Sequence, residues 1–185
     1  MKITHHFVSW QRNKDNSIVI TSDKTFSKIY LLTKDIIRIR TSFENKFPEE
    51  SYVLAMTAWD DRFDDLLLGE RTRVNALEPI VLEFDDKIII SGANLILNVN
   101  KKPFYIQALT PKGEVVYSDL KTRPYTQDQI GRVTHYTEID VDKDYCYGFG
   151  EKTGALNKMR RRLVQNAKDT LGYDPEFSDP LYKHI

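Results

Sequence analysis

Asp140, Asp142, Asp144 and Glu151 occupy the first, third, fifth and twelfth positions of a calcium-loop spacing. Such a loop needs glycine at its sixth position for the sharp turn. Tyr145 stands there, and neither flank has the pattern of an amphipathic helix. The run therefore reads as a polar strand end leading into a turn. The histidines are His5, His6, His135 and His184; His5 and His6, if extended, point to opposite faces and form no chelating pair. No metal and no cofactor is implied. Arg160, Arg161 and Arg162 follow Lys158 and have the chemistry to meet a phosphate. In a chain with 27 basic and 27 acidic residues they read as a solvated or salt-bridged face. The zero net charge also argues against a nucleic-acid partner. Cys146, the single cysteine, lies between Tyr145 and Tyr147 with no base or cation beside it, so it reads as a small half-buried hydrophobe rather than a nucleophile.

These groups need a frame, and 185 residues suit one domain whose core requires no disulfide or metal. Short runs rich in Ile, Val, Leu and Tyr recur between polar turns, which predicts an all-β antiparallel sandwich. Strands are expected at 17–21, 28–32, 36–41, 52–55, 74–76, 80–84, 87–91, 94–100, 104–109, 115–117 and 133–138. Along Ile37, Arg38, Ile39 and Arg40 the isoleucines face one sheet surface and the arginines the other, the wet or concave one. Asp85-Asp86, Ser91-Gly92 and Pro111-Lys112-Gly113 supply turn chemistry for consecutive hairpins. The segment 59–68 is open between a short helix and a decorated loop, since Trp59, Phe63, Leu66 and Leu67 have helical spacing among four aspartates.

The character changes after Tyr147. Gly148, Gly150, Gly154, Gly172, Pro175 and Pro180 mark a long structured loop, and Phe149, Tyr173, Phe177 and Tyr182 argue against disorder. The expected organisation is a sandwich over 1–147, with 148–185 as a glycine-rich turn and loop segment of the same domain. Residues 1–20 are polar and hold no apolar run long enough for a signal peptide or a membrane span, and the expected location is cytoplasmic.

Within that last segment, Tyr147-Gly148-Phe149-Gly150-Glu151-Lys152-Thr153-Gly154 resembles the amino-terminal domain of glycoside hydrolase family 31, the α-glucosidase and α-xylosidase family. Leu156-Asn157-Lys158, Asn166-Ala167-Lys168-Asp169, Gly172-Tyr173-Asp174-Pro175 and Asp179-Pro180-Leu181-Tyr182-Lys183-His184-Ile185 extend the resemblance in the same order. It implies a sandwich of galactose-mutarotase-like type, packed against a barrel whose strand ends bear an aspartate nucleophile and an aspartate acid/base. Neither of those motifs occurs in this chain, so no catalytic residue is assigned and the chain alone is expected to be inactive. Retaining hydrolysis needs two carboxyl groups about 5 Å apart. Asp60-Asp61 and Asp64-Asp65 are merely adjacent in a charge-dense run, which does not make them such a pair.

The resemblance further implies a loop that reaches the barrel mouth and helps to bind sugar. Asp169 is its substrate contact, with Asn166 and Tyr173 beside it. Gln165 stands where relatives often have an aromatic residue, which alters the pocket they shape. The expected function is thus the amino-terminal domain of a retaining, α-glucosidase-like glycosidase, truncated before its barrel and acting on an α-linked oligosaccharide or glucoside, with no nucleic acid or membrane as partner. A standalone carbohydrate-binding module or a purely structural interaction domain is the alternative.

Overall fold

The computed structural model describes residues 1–47, 76–140, 142–148 and 155–160. Within the chain, Met1–Glu138 and Ile139–Ile185 are separate compact units. Every regular element among the described residues is a strand. In chain order these are β1 (Lys2–Ile3), β2 (Phe7–Arg12), β3 (Ile18–Ser22), β4 (Phe26–Leu31), β5 (Ile37–Ser42) and β6 (Ile80–Glu83). They continue with β7 (Lys87–Ser91), β8 (Ile96–Lys101), β9 (Phe104–Leu109), β10 (Val115–Ser118), β11 (Tyr125–Gln127) and β12 (Val133–His135).

Two antiparallel sheets follow from consecutive hairpins: β2-β3-β4-β5, and β10-β9-β8-β7-β6. A third sheet, β1-β11-β12, joins the start of the chain to its later strands. Side chains alternate across each pleat, so register decides what is buried. In the first sheet Ile18 pairs with Ile29 and Ile29 with Ile39. In the second, Ile88 pairs with Val99 and Val99 with Ile106, while Leu97 lies between Ile90 and Ala108. These rows, except the half-buried Ile39, form one buried cluster with Ile20, Phe104 and Tyr125. Sealing two β-branched, aliphatic faces against each other is what holds the sheets together.

One edge of the sandwich is laced by polar contacts. Trp10 Nε1 on β2 donates to Glu83 Oε2 at 2.8 Å, Lys101 Nζ lies 2.8 Å from Glu83 Oε1, and an Arg12 guanidinium nitrogen reaches Glu78 Oε1 at 3.1 Å. The expected turns form as well. Gly92 lies at φ 127°, and an added Cβ would meet the Glu78 carbonyl oxygen at 3.0 Å, so both conformation and space require glycine there.

Sequence periodicity misses β1, β2 and β11. In β2 the half-buried Trp10 and the exposed Arg12 pair with Ile20 and Ile18, and the register shifts between Phe7 and Ser9, so the expected apolar alternation is broken. β1 and β11 are too short to show a period and exist through pairing with each other and with β12. The end strand is also shorter than expected, β12 stopping at His135. The arginine face of β5 is not simply wet. Arg38 and Arg40 are half-buried, and Arg40 donates to the Phe47 carbonyl at 3.2 Å. Residues 52–55, 59–68 and 74–75 lie outside the described residues, and Ala76 is buried without being in a strand.

Truncating Ile90 to alanine at the centre of the core should lower unfolding free energy by about 2–5 kcal/mol in urea titrations. Ile80→Ala, at a position 60% exposed, should change it by no more than about 0.5 kcal/mol.

Candidate functional site

Asp119 follows directly on β10 and has no solvent exposure. A buried carboxylate is costly unless hydrogen bonds replace its water. Here they do. Oδ2 accepts from the Ile106 backbone N–H on β9 at 2.9 Å, and Oδ1 accepts from the Tyr117 hydroxyl at 2.5 Å. His135 Nε2, on β12, lies 2.7 Å from the same Oδ1. A carboxylate oxygen accepts, and the tautomer that completes this contact is the one with the ring proton on Nε2. The 2.9 Å approach of Tyr117 Oη to Nε2 then records two donors converging on one oxygen.

The fold places each member. The irregular register between Val115 and Tyr117 brings Tyr117 inward opposite Ala108. Tyr125 and His135 are direct cross-strand partners on β11 and β12, and their rings stack with centroids 4.6 Å apart at 9°. Burial first, then the bond to Asp119 and its charge, pushes the Tyr117 phenol far above its ordinary range. Burial and the Asp119 carboxylate push Tyr125 the same way, against the Thr41 contact.

The phenols and imidazole border a cavity of about 480 Å³. Its aliphatic walls come from all three sheets: Ile37 and Ile39 on β5, Leu97 on β8, Val116 on β10 and Val133 on β12. Thr41, Tyr117, Tyr125 and His135 are its polar lining. The arrangement can receive an apolar group and offer it a hydrogen bond.

The family follows from comparison with known proteins. A profile described as the glycosyl hydrolase 31 N-terminal galactose mutarotase-like domain matches residues 27–185. The chain belongs to this family. The family 31 domain is 27% identical over 162 residues to alpha-glucosidase 2 of Bacillus thermoamyloliquefaciens, covering 87% of this chain and 18% of that protein. The Flavobacterium johnsoniae GH31 dextranase complexed with isomaltotriose shares the fold with a TM-score of 0.75 at 20% identity, covering 100% of this chain and 21% of that one. The cycloalternan-forming enzyme of Listeria monocytogenes in complex with pentasaccharide substrate gives a TM-score of 0.60 at 15% identity, over 88% of this chain and 14% of that one. The family 31 domain therefore spans about a fifth or less of the length of these relatives.

Asp169, Asn166 and Tyr173, the expected sugar contacts, lie outside the described residues, as do Glu151, Arg161, Arg162, His184 and the aspartates of 60–65. Asp140 and its neighbours close a turn on themselves. The Asp142 N–H donates to Asp140 Oδ1 at 3.1 Å, Lys143 Nζ pairs with Asp140 Oδ2 at 3.1 Å, and the Asp140 N–H donates to Asp144 Oδ2 at 2.7 Å. Those bonds, from the Asp142 backbone first, hold the Asp140 carboxyl below its usual range. Asn157, within the family motif, ties the same unit: its Oδ1 accepts from the N–H groups of Cys146 at 3.1 Å and Met159 at 3.0 Å. His5 and His6 are held by their backbone N–H groups on Asp23 Oδ1 at 2.9 and 3.1 Å.

Sequence reasoning noted His135 only as one histidine among four and passed over Asp119, Tyr117 and Tyr125. The available signal was an acidic residue immediately after the apolar run of β10, flanked within a few residues by tyrosines.

Asp119→Ala should cost about 3–5 kcal/mol of stability, since it leaves buried donors unpaired. Phenols with raised values keep their protons in the folded state above pH ~10, where the unfolded chain releases them. Their contribution is complete below pH ~10 and is lost as pH rises beyond it. The urea midpoint should fall more steeply above pH ~10 in the wild type than in Tyr117→Phe.

Proposed function

We propose that the chain is the amino-terminal sandwich of a retaining glycosidase of α-glucosidase type, acting on an α-linked glucoside or oligosaccharide. The observation that carries this reading is the family match through residue 185, which includes the ordered motifs from Tyr147 onward. The likeness to an alpha-glucosidase supports the substrate class. In this reading the nucleophile and the acid/base belong to a barrel outside these residues. The sandwich supports that barrel, and the segment around Asp169 enters the sugar site.

The chemistry of the three residues fits that role. A carboxylate accepts hydrogen bonds from sugar hydroxyls, and the ring of Tyr173 offers an apolar face to the C–H side of a pyranose. Asn166 supplies an amide that both donates and accepts.

The purified 185-residue chain should show no turnover of 4-nitrophenyl α-glucoside, whereas the full-length enzyme should hydrolyse it. Turnover by the chain alone would end the assignment of catalysis to a separate barrel. In the full-length enzyme Asp169→Ala should lower kcat/KM by about 5- to 150-fold, equivalent to about 1–3 kcal/mol of transition-state binding. An unchanged kcat/KM would remove Asp169 from the site.

A further inference from the structure

We infer that the cavity beside Asp119 is a binding site for a neutral, hydroxyl-bearing apolar molecule of alkylphenol or cycloalkyl-alcohol type. The volume of about 480 Å³ lies within the roughly 300–1,000 Å³ of small-molecule sites. Its walls, Ile37, Ile39, Leu97, Val116 and Val133, carry no polar side-chain atom, so they reward an apolar body. A pyranose would lose water from several hydroxyls against these walls without replacement partners.

The polar end selects the head group. The Asp119 carboxylate accepts from Ile106 N–H and Tyr117 and is met by His135 Nε2. The Tyr117 hydroxyl proton is committed to it. With Nε2 directed to Asp119, His135 Nδ1 remains, without a hydrogen-bond partner among the described residues, and in the tautomer that donates through Nε2 it is an acceptor. A ligand hydroxyl supplies the matching proton. A carboxylate head has no proton to give and is repelled by Asp119, whose oxygen is 2.7 Å from the same ring. An ammonium head is charged and loses its hydration against aliphatic walls.

The test is titration of the full chain with 4-propylphenol, followed by the methyl resonances of Ile37, Leu97 and Val116. Saturable shifts of these methyls are expected, with 4-propylbenzoate binding at least tenfold more weakly. His135→Phe, which keeps a ring against Tyr125 and removes both nitrogens, should weaken 4-propylphenol at least tenfold. Val116→Trp fills the cavity from a position 55% exposed, leaves the Asp119 cluster untouched, and should weaken it as much. Should His135→Phe fail to fold, the Val116→Trp and benzoate comparisons decide. Absence of saturable shifts at these methyls, equal affinity for the benzoate, or undiminished binding by Val116→Trp would overturn the proposal.

Discussion

A carboxylate with no solvent exposure must be satisfied from within the protein, and Asp119 draws its partners from two of the three sheets. Ile106 and Tyr117 belong to the five-stranded sheet and His135 to the three-stranded one, where its ring stacks on Tyr125. Hydrogen bonds have direction where aliphatic packing does not. The Ile-rich faces make the sheets adhere, and the Asp119 cluster specifies how the three strands and turns around it meet. The backbone supports the same junction: the Asp119 N–H donates to the Ile106 carbonyl at 2.9 Å, and Asp119 bridges to Thr137.

The two lateral edges of the sandwich differ because of this. Across the β2 edge, Trp10, Arg12 and Lys101 find carboxylates at Glu83 and Glu78, and the sheets close. At the β5 and β10 edge the polar groups converge on Asp119, and the aliphatic residues beyond them line open space. The bulge of β10 adds to this by presenting both Val116 and Tyr117 to the cavity from one short strand.

Membership of the family 31 amino-terminal domain and the mutarotase-like sandwich explain each other. A sandwich needs only alternating apolar rows and turns, which many sequences supply, and relatives at 15–20% identity keep the fold with TM-scores of 0.60–0.75. The glycine-rich segment from Tyr147 is more demanding, because it is an ordered run of particular residue types rather than an alternation that many sequences supply. Such a segment marks a family more sharply than the strands that precede it.

The amino-acid sequence by itself determined the fold class, most strands of the two large sheets, the hairpin turns at Asp85-Asp86, Gly92 and Gly113, and the family through its motifs. These are local properties: a period of two, a residue tolerant of positive φ, an ordered run of types. The tertiary structure alone decided β1, β2 and β11, the pairing of Arg12 with Glu78, and the meeting of Asp119 with His135. β11 is a strand because β1 and β12 supply its hydrogen bonds, and no local pattern of three residues can announce that. Asp119 and His135 stand 16 positions apart, and whether they touch depends on the register of β11 against β12 and on a bulge in β10. A shift of one residue would turn either side chain to the opposite face, so their contact is a property of pairing and not of spacing.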